Sequence, residues 1–125
     1  MNFYVDINKL KWTIKEVETR SAELVVDGSQ CYGTCKYYTQ EIFLDETLTN
    51  DKKIKTLKHE LTHAFINCYL LEQQENYSEE QLCEFVATYS EHINEIANDY
   101  LKCKSIKGIR ENSKHFVLDG ELIEK

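Results

Sequence analysis

The sequence predicts an α+β fold, a small antiparallel sheet followed by two long helices, in one domain spanning residues 1–125. Three observations predict it. Aromatic and β-branched residues crowd the chain up to Leu44, punctuated by turn residues. After Leu44 the apolar spacing changes from two to three and four. A length of 125 residues, 42% of them hydrophobic and 11% aromatic, supplies one core.

The strands come first. Phe3-Tyr4-Val5-Asp6-Ile7 and Leu10-Lys11-Trp12-Thr13-Ile14-Lys15-Glu16-Val17 read as a pair joined by a tight turn at Asn8-Lys9, the second alternating apolar and polar outright. Glu18 to Val26 fits either a short helix or a loop, and Asp27-Gly28 is a turn signal. Cys31 to Tyr37 and Gln40 to Leu44 read as two more strands connected through Tyr38-Thr39. The segment Gln40 to Leu44 is expected at a sheet edge, where it could take an extended peptide by strand addition.

The helices follow. Thr49 or Asn50 can cap the first, whose apolar residues recur at Ile54, Leu57, Leu61, Ala64, Phe65, Cys68 and Leu71. The polar stretch Glu72 to Tyr77 ends it. Ser78-Glu79-Glu80-Gln81 has the form of a capping box opening the second helix, with Leu82, Phe85, Val86, Tyr89, Ile93, Ile96 and Tyr100 as its stripe. From Lys104 the chain is more polar, and residues 104–125 are expected to form a loosely packed tail, in which Val117 to Ile123 resembles a short hairpin.

Charge and composition exclude several classes of function. Lys and Arg are outnumbered 15 to 22, a net charge of -7, which argues against a nucleic-acid backbone as main partner. The lysine-rich Lys52-Lys53-Ile54-Lys55 is expected to be a solvated face at a helix start. No apolar run reaches the roughly 18 residues of a membrane span and no secretory signal opens the chain, so no membrane association and a cytoplasmic location are expected. Five cysteines (Cys31, Cys35, Cys68, Cys83 and Cys103) lack the paired spacing of a zinc ribbon and are expected as reduced thiols.

One stretch carries chemistry. Residues 57–67 read LKHELTHAFIN, an HExxH pattern in the middle of the first helix. Residues four apart share a helix face, so His59 and His63 can present two imidazoles to one cation. HExxH is a zinc signature in which Glu60 is the general base toward the metal-bound water. The apolar flanks, with Ile66 and Leu70 near the histidine side, predict that these polar groups are at least partly buried, and buried polar groups need partners. The alternative is that His and Glu stand on a solvated helix face by chance.

A catalytic zinc takes three protein ligands and keeps one position open. Glu79, Glu80 and Glu84 are the carboxylates at hand. At about 100° per residue Glu79 falls about 60° from the stripe centred on Leu82, whereas Glu80 and Glu84 fall about 160° away. Phase therefore ranks Glu79 first, then Glu80, then Glu84, which a simple antiparallel hairpin would bring nearest His63 in height. Acidic residues in a first turn also suit the helix macrodipole with no metal at all. His92, beside the stripe, and His115, in the polar tail, are weaker candidates. Tyr32, Tyr37 and Tyr38 could offer a hydroxyl to a tetrahedral intermediate, and nothing selects among them.

A small sheet, then Thr56-Leu57-Lys58-His59-Glu60-Leu61-Thr62-His63-Ala64-Phe65, then a helix opening Glu79-Glu80-Gln81-Leu82-Cys83-Glu84-Phe85-Val86-Ala87 resembles the ImmA/IrrE-type minimal zinc metallopeptidases over residues 30–100. The resemblance implies a zincin-like fold and Zn2+ held by His59, His63 and a glutamate from an E-x-x-A-x-x-F-A pattern. Aligned on Phe85, that pattern puts Glu79 at the ligand position. The chain departs from it with Thr62 where Gly is frequent and with Leu82 at the first Ala, and the family's usual DNA-binding or sensor domain is expected to be absent. Such proteins are frequent in phages and mobile elements, where relatives cleave repressors or regulators. Two functions follow as expectations: a zinc endopeptidase cleaving a specific protein partner, or a zincin-fold binding protein, such as a phage antagonist of a host factor, that docks without catalysis.

Overall fold

The computed structural model describes residues 2–69 and 77–105, Ser105 as backbone only, and the backbone of residues 117–118 and 121–122. Turn chemistry starts the sheet. Asn8 and Lys9 take φ values of 52° and 67°, the left-handed pair that matches the twist of a two-residue hairpin. Strand β1 (Phe3–Ile7) therefore folds back on β2 (Leu10–Val17), with Ile7 opposite Leu10 and Phe3 opposite Ile14. A 3-10 turn at Ala22–Leu24 follows, then the short strands β3 (Val25–Val26) and β4 (Ser29–Gln30), paired across Asp27-Gly28 at φ 50° and 79°. Strands β5 (Gly33–Lys36) and β6 (Glu41–Asp45) form the next antiparallel pair.

The main sheet has the order β1-β2-β6-β5, and β2 runs parallel to β6 with Thr13 opposite Glu41. The fold is thus α+β with a small mixed sheet, which corrects the expectation of a wholly antiparallel one. Each hairpin turn fixes direction within its own pair only. The seam between pairs is decided by which strand is apolar enough to lie inside, and β6 is, with Ile42, Phe43 and Leu44 each at most 5% exposed. For the same reason Gln40 to Leu44 is not an edge. The far edge of the sheet is β5.

Helix α1 (Asn50–Cys68) is capped by the Thr49 hydroxyl, which accepts from the Lys52 N–H at 3.3 Å. Leu57, Leu61, Ala64, Phe65 and Cys68 bury one face in the core, beside Phe3, Val5, Trp12, Ile14, Ile42 and Leu44 of the sheet. The Trp12 indole N–H donates to Cys68 Sγ at 3.2 Å, and the Asn8 amide donates to the Cys68 carbonyl at 2.8 Å, closing the helix end onto the first hairpin.

Helix α2 (Glu79–Ser105) opens with the anticipated capping box: the Gln81 N–H donates to Ser78 Oγ, and the Ser78 N–H donates back to Gln81 Oε1. Its buried residues are Ile93, Ile96, Ala97, Tyr100 and Cys103. Leu82 and Val86 are 57% and 50% exposed, so the core-facing part of the stripe starts later than the spacing suggested. Lys104 lies in this helix and pairs with Glu16 at 2.8 Å, so the expected tail at 104–125 begins as helix. Strands β7 (Val117–Leu118) and β8 (Glu121–Leu122) pair antiparallel, and the rest of the tail, with His115, lies outside the described residues, as do Leu70, Leu71 and Glu72. No described helix is long and apolar enough to cross a membrane.

Candidate functional site

The HExxH turn divides along the two sides of α1. Leu57, Leu61 and Ala64 face the core, which turns His59 and His63 outward, and both are exposed. Their rings lie 5.0 Å apart between centroids, nearly perpendicular at 72°. Glu60 takes the flank between, 7% exposed. The expected burial is therefore strong at Glu60 and slight at the histidines, which stand on the exposed side.

Burial raises the Glu60 carboxyl above the usual carboxylate range, with the His59 ring opposing. Partial burial lowers the His63 pKa, and the neighbouring His59 adds to that. Both directions favour neutral forms. A neutral imidazole is the form that ligates a metal.

Edge strand β5 is what brings Glu60 into a cleft. A Cβ built on Gly33 would stand 2.6 Å from Thr56 Cγ2 and 3.2 Å from Glu60 Cγ, so only glycine lets the strand lie this close to the helix. Cys35, two residues on, points to the same side; burial, then the nearby Glu60 carboxylate and Cys68, push its thiol up to about 12. On the opposite face of the strand the Thr34 hydroxyl donates to the Glu23 carbonyl at 2.7 Å. The Asp45 N–H donates to the Tyr32 carbonyl, which makes Tyr32, Thr34 and Lys36 the hydrogen-bonded positions toward β6. By alternation, the main-chain N–H and C=O groups of Gly33 and Cys35 point to the open edge.

Between β5 and the outer side of α1 lies an open cleft of about 630 Å³ whose lining includes Tyr32, Gly33, Lys52, Lys55, His59 and Glu60. Lys58 and Thr62 also border it. Tyr32 is the one tyrosine of the three proposed hydroxyl donors on this cleft; Tyr37 and Tyr38 line a second depression at the other end of β5.

The proposed third ligand stands apart. Glu79, Glu80 and Glu84 are exposed in the first turns of α2. Phe65 packs on Tyr89 at 5.7 Å and on His92 at 5.3 Å between centroids, which sets the level at which the helices meet. Glu79 precedes Tyr89 by ten residues, about 15 Å along the helix axis. Among the described residues no three His, Cys, Asp or Glu side chains gather where they could hold one metal ion. A zinc ion would meet two candidate donors in His59 and His63, and among the described residues no third is gathered beside them. His92 packs edge-on against Phe65.

Sequence reasoning missed two parts of this site. The strand pattern makes Gly33 one letter among others, although a glycine inside a strand is itself a sign of close backbone approach. The sequence pattern puts the lysines together on a solvated face. In fact Lys53 is 5% exposed and bonded to Glu16 at 3.0 Å, while Lys52 and Lys55 wall the cleft. Helical phase separates Lys53 from Lys52 by about 100° and from Lys55 by about 160°. No family model, no curated protein and no solved structure matches the chain.

Proposed function

We propose that this domain is a zinc-dependent endopeptidase of the minimal zincin-like type, acting on an extended segment of a specific protein partner. The observation that carries the reading is the HELTH turn of α1 standing across Gly33 from an open strand edge, with Glu60 facing the cleft between them. A peptide added to β5 would run its main chain past Gly33 and Cys35 and its scissile bond past Glu60. His59 and His63 are the metal donors on one rigid element, Glu79 is the proposed third, and Glu60 is the base that takes the proton from water. Zinc, when bound, supplies a water with a pKa of about 7 and an electrophile for the peptide carbonyl. A repressor or regulator in phage or mobile-element control is the partner class that the family resemblance suggests.

Metal analysis of the purified chain tests the reading. We expect about one zinc per chain, retained in Glu60→Gln, lost in His63→Ala and weakened in Glu79→Gln. A folded chain that takes no zinc ends the peptidase reading. An unchanged affinity in Glu79→Gln removes that residue from the ligand set.

A second reading, a binding protein that docks on its partner without cutting it, is favoured by the separation of Glu79 from the histidine pair. The two differ at Glu60: hydrolysis fails in Glu60→Gln, whereas docking survives it.

A further inference from the structure

We infer that the cleft between β5 and α1 selects an acidic, extended peptide segment. The inference rests on the reading of this cleft as the peptide site and is independent of whether zinc is bound.

The charge around the cleft is opposite to that of the molecule. The chain carries a net charge of -7, yet Lys52, Lys55 and Lys58 all border the cleft, and among the described residues Glu60 is the one carboxylate in its lining. Among the described residues none of these three lysines enters an ion pair, while Lys15, Lys53 and Lys104 each do. Lys52 stands 4.8 Å from the centroid of the Tyr32 ring, a cation–π contact that steadies the wall and leaves the ammonium open to a further partner. Unpaired ammonium groups beside a low-dielectric cleft concentrate anions there, and the acidic remainder of the surface sharpens the contrast.

Spacing favours a peptide over other polyanions. Lys52, Lys55 and Lys58 are three residues apart, so the outer two stand about 9 Å apart along the axis. An extended chain covers that distance in two or three residues at about 3.3 Å each, which sets the separation of the acidic side chains. The main chain of such a peptide has partners in the outward groups of Gly33 and Cys35. A nucleic acid would meet the same lysines but has no use for a strand edge, and its phosphates would be repelled by the rest of the molecule.

The experiment is fluorescence anisotropy on the full chain, in chelator and at two ionic strengths, with labelled peptides of one length carrying Glu, Gln or Lys at alternate positions. The Glu peptide is expected to bind on the order of tenfold tighter than the Gln peptide at low salt, with the margin shrinking at high salt. Joint replacement Lys52→Gln, Lys55→Gln and Lys58→Gln should abolish the margin. The same charge removed at Lys9→Gln, Lys11→Gln and Lys102→Gln should leave it. Equal binding of the Glu and Gln peptides by the unaltered chain overturns the inference without recourse to any variant. So does an equal loss in the Lys9, Lys11 and Lys102 variant, or equally tight binding of a single-stranded oligonucleotide of matched charge. Because zinc is measured separately, acidic preference in a chain that takes no zinc upholds the cleft and ends the peptidase reading. Zinc binding without acidic preference does the reverse.

Discussion

At the scale of single residues, Gly33 decides whether the cleft exists at all. The position needs no unusual backbone angle; what it needs is the absence of a Cβ, because Thr56 Cγ2, Glu60 Cγ and the Phe43 carbonyl oxygen crowd the place where one would go. Thr56 is β-branched and stiff, so its methyl cannot swing aside cheaply. Gly33→Ala should therefore destabilise the chain by about 1–3 kcal/mol, the usual range for overpacking. Urea unfolding would measure it. Adding Thr56→Ser removes the nearest atom and should restore part of the loss, and a double variant no more stable than Gly33→Ala alone would show that the crowding lies elsewhere. The same residue marks what was legible. The histidine and glutamate letters of HExxH are legible by their spacing, but the glycine across from them has no fixed distance from the motif in sequence and takes its meaning from the packing of β5 against α1.

At the scale of elements, the two helices and the sheet are joined by one carboxylate. Glu16 of β2 accepts from Lys53 of α1 at 3.0 Å, and from Lys104 of α2 at 2.8 Å and Tyr100 of α2. Burial by itself would raise the Glu16 pKa, but Lys104, Tyr100 and Lys53 outweigh it and hold the carboxyl below its ordinary 4.5. A group whose proton affinity is depressed by folding stabilises the fold fully above its unfolded value, and the contribution disappears as pH falls through the folded one. Stability should thus drop as the solution is acidified below about 4.5, and Glu16→Gln should flatten that slope while costing about 3 kcal/mol at neutral pH, because the Lys53 ammonium keeps its burial and loses its counter-charge. Urea midpoints across the acid range for both chains would decide it: parallel slopes would mean that other carboxylates carry the acid sensitivity. Alternation correctly marked β2 as half-buried and the capping box correctly opened α2. Neither pattern indicates which polar residue of one element meets which of another, so neither separates Lys53 from its exposed neighbours.

At the scale of the whole molecule, local pattern was a good guide to the elements and a poor one to their assembly. Tight turns at Asn8-Lys9 and Asp27-Gly28, the cap at Thr49 and the spacing of Leu57, Leu61, Ala64 and Phe65 are all set by near neighbours, and each was legible. The parallel seam between β2 and β6 joins residues about 28 apart, and it was not, although the unbroken apolar run Ile42-Phe43-Leu44 is how an interior strand reads. Phase on α2 marked the right side, since Phe85, Tyr89, Ile93, Ile96 and Tyr100 pack on the core, but a stripe does not tell where along a helix the neighbour begins, and Leu82 and Val86 stay exposed. The five thiols offer a test of that assembly, since their burial depends on it. Cys83 is exposed near the start of α2, Cys31 and Cys35 are half-buried, and Cys68 and Cys103 are buried in the core. Thiolate is the reacting form, and Cys35, half-buried against the core, is held at about 12, so it should react slowly. Under native conditions an alkylating reagent followed by mass spectrometry should modify Cys83 first, then Cys31. Cys35 should lag both, and Cys68 and Cys103 should react only as the chain unfolds, at a rate that falls with any condition that stabilises the fold. Early modification of Cys68 would mean that α1 does not rest on Trp12 and the first hairpin, and the placement of the HExxH turn against β5 would lose its support with it.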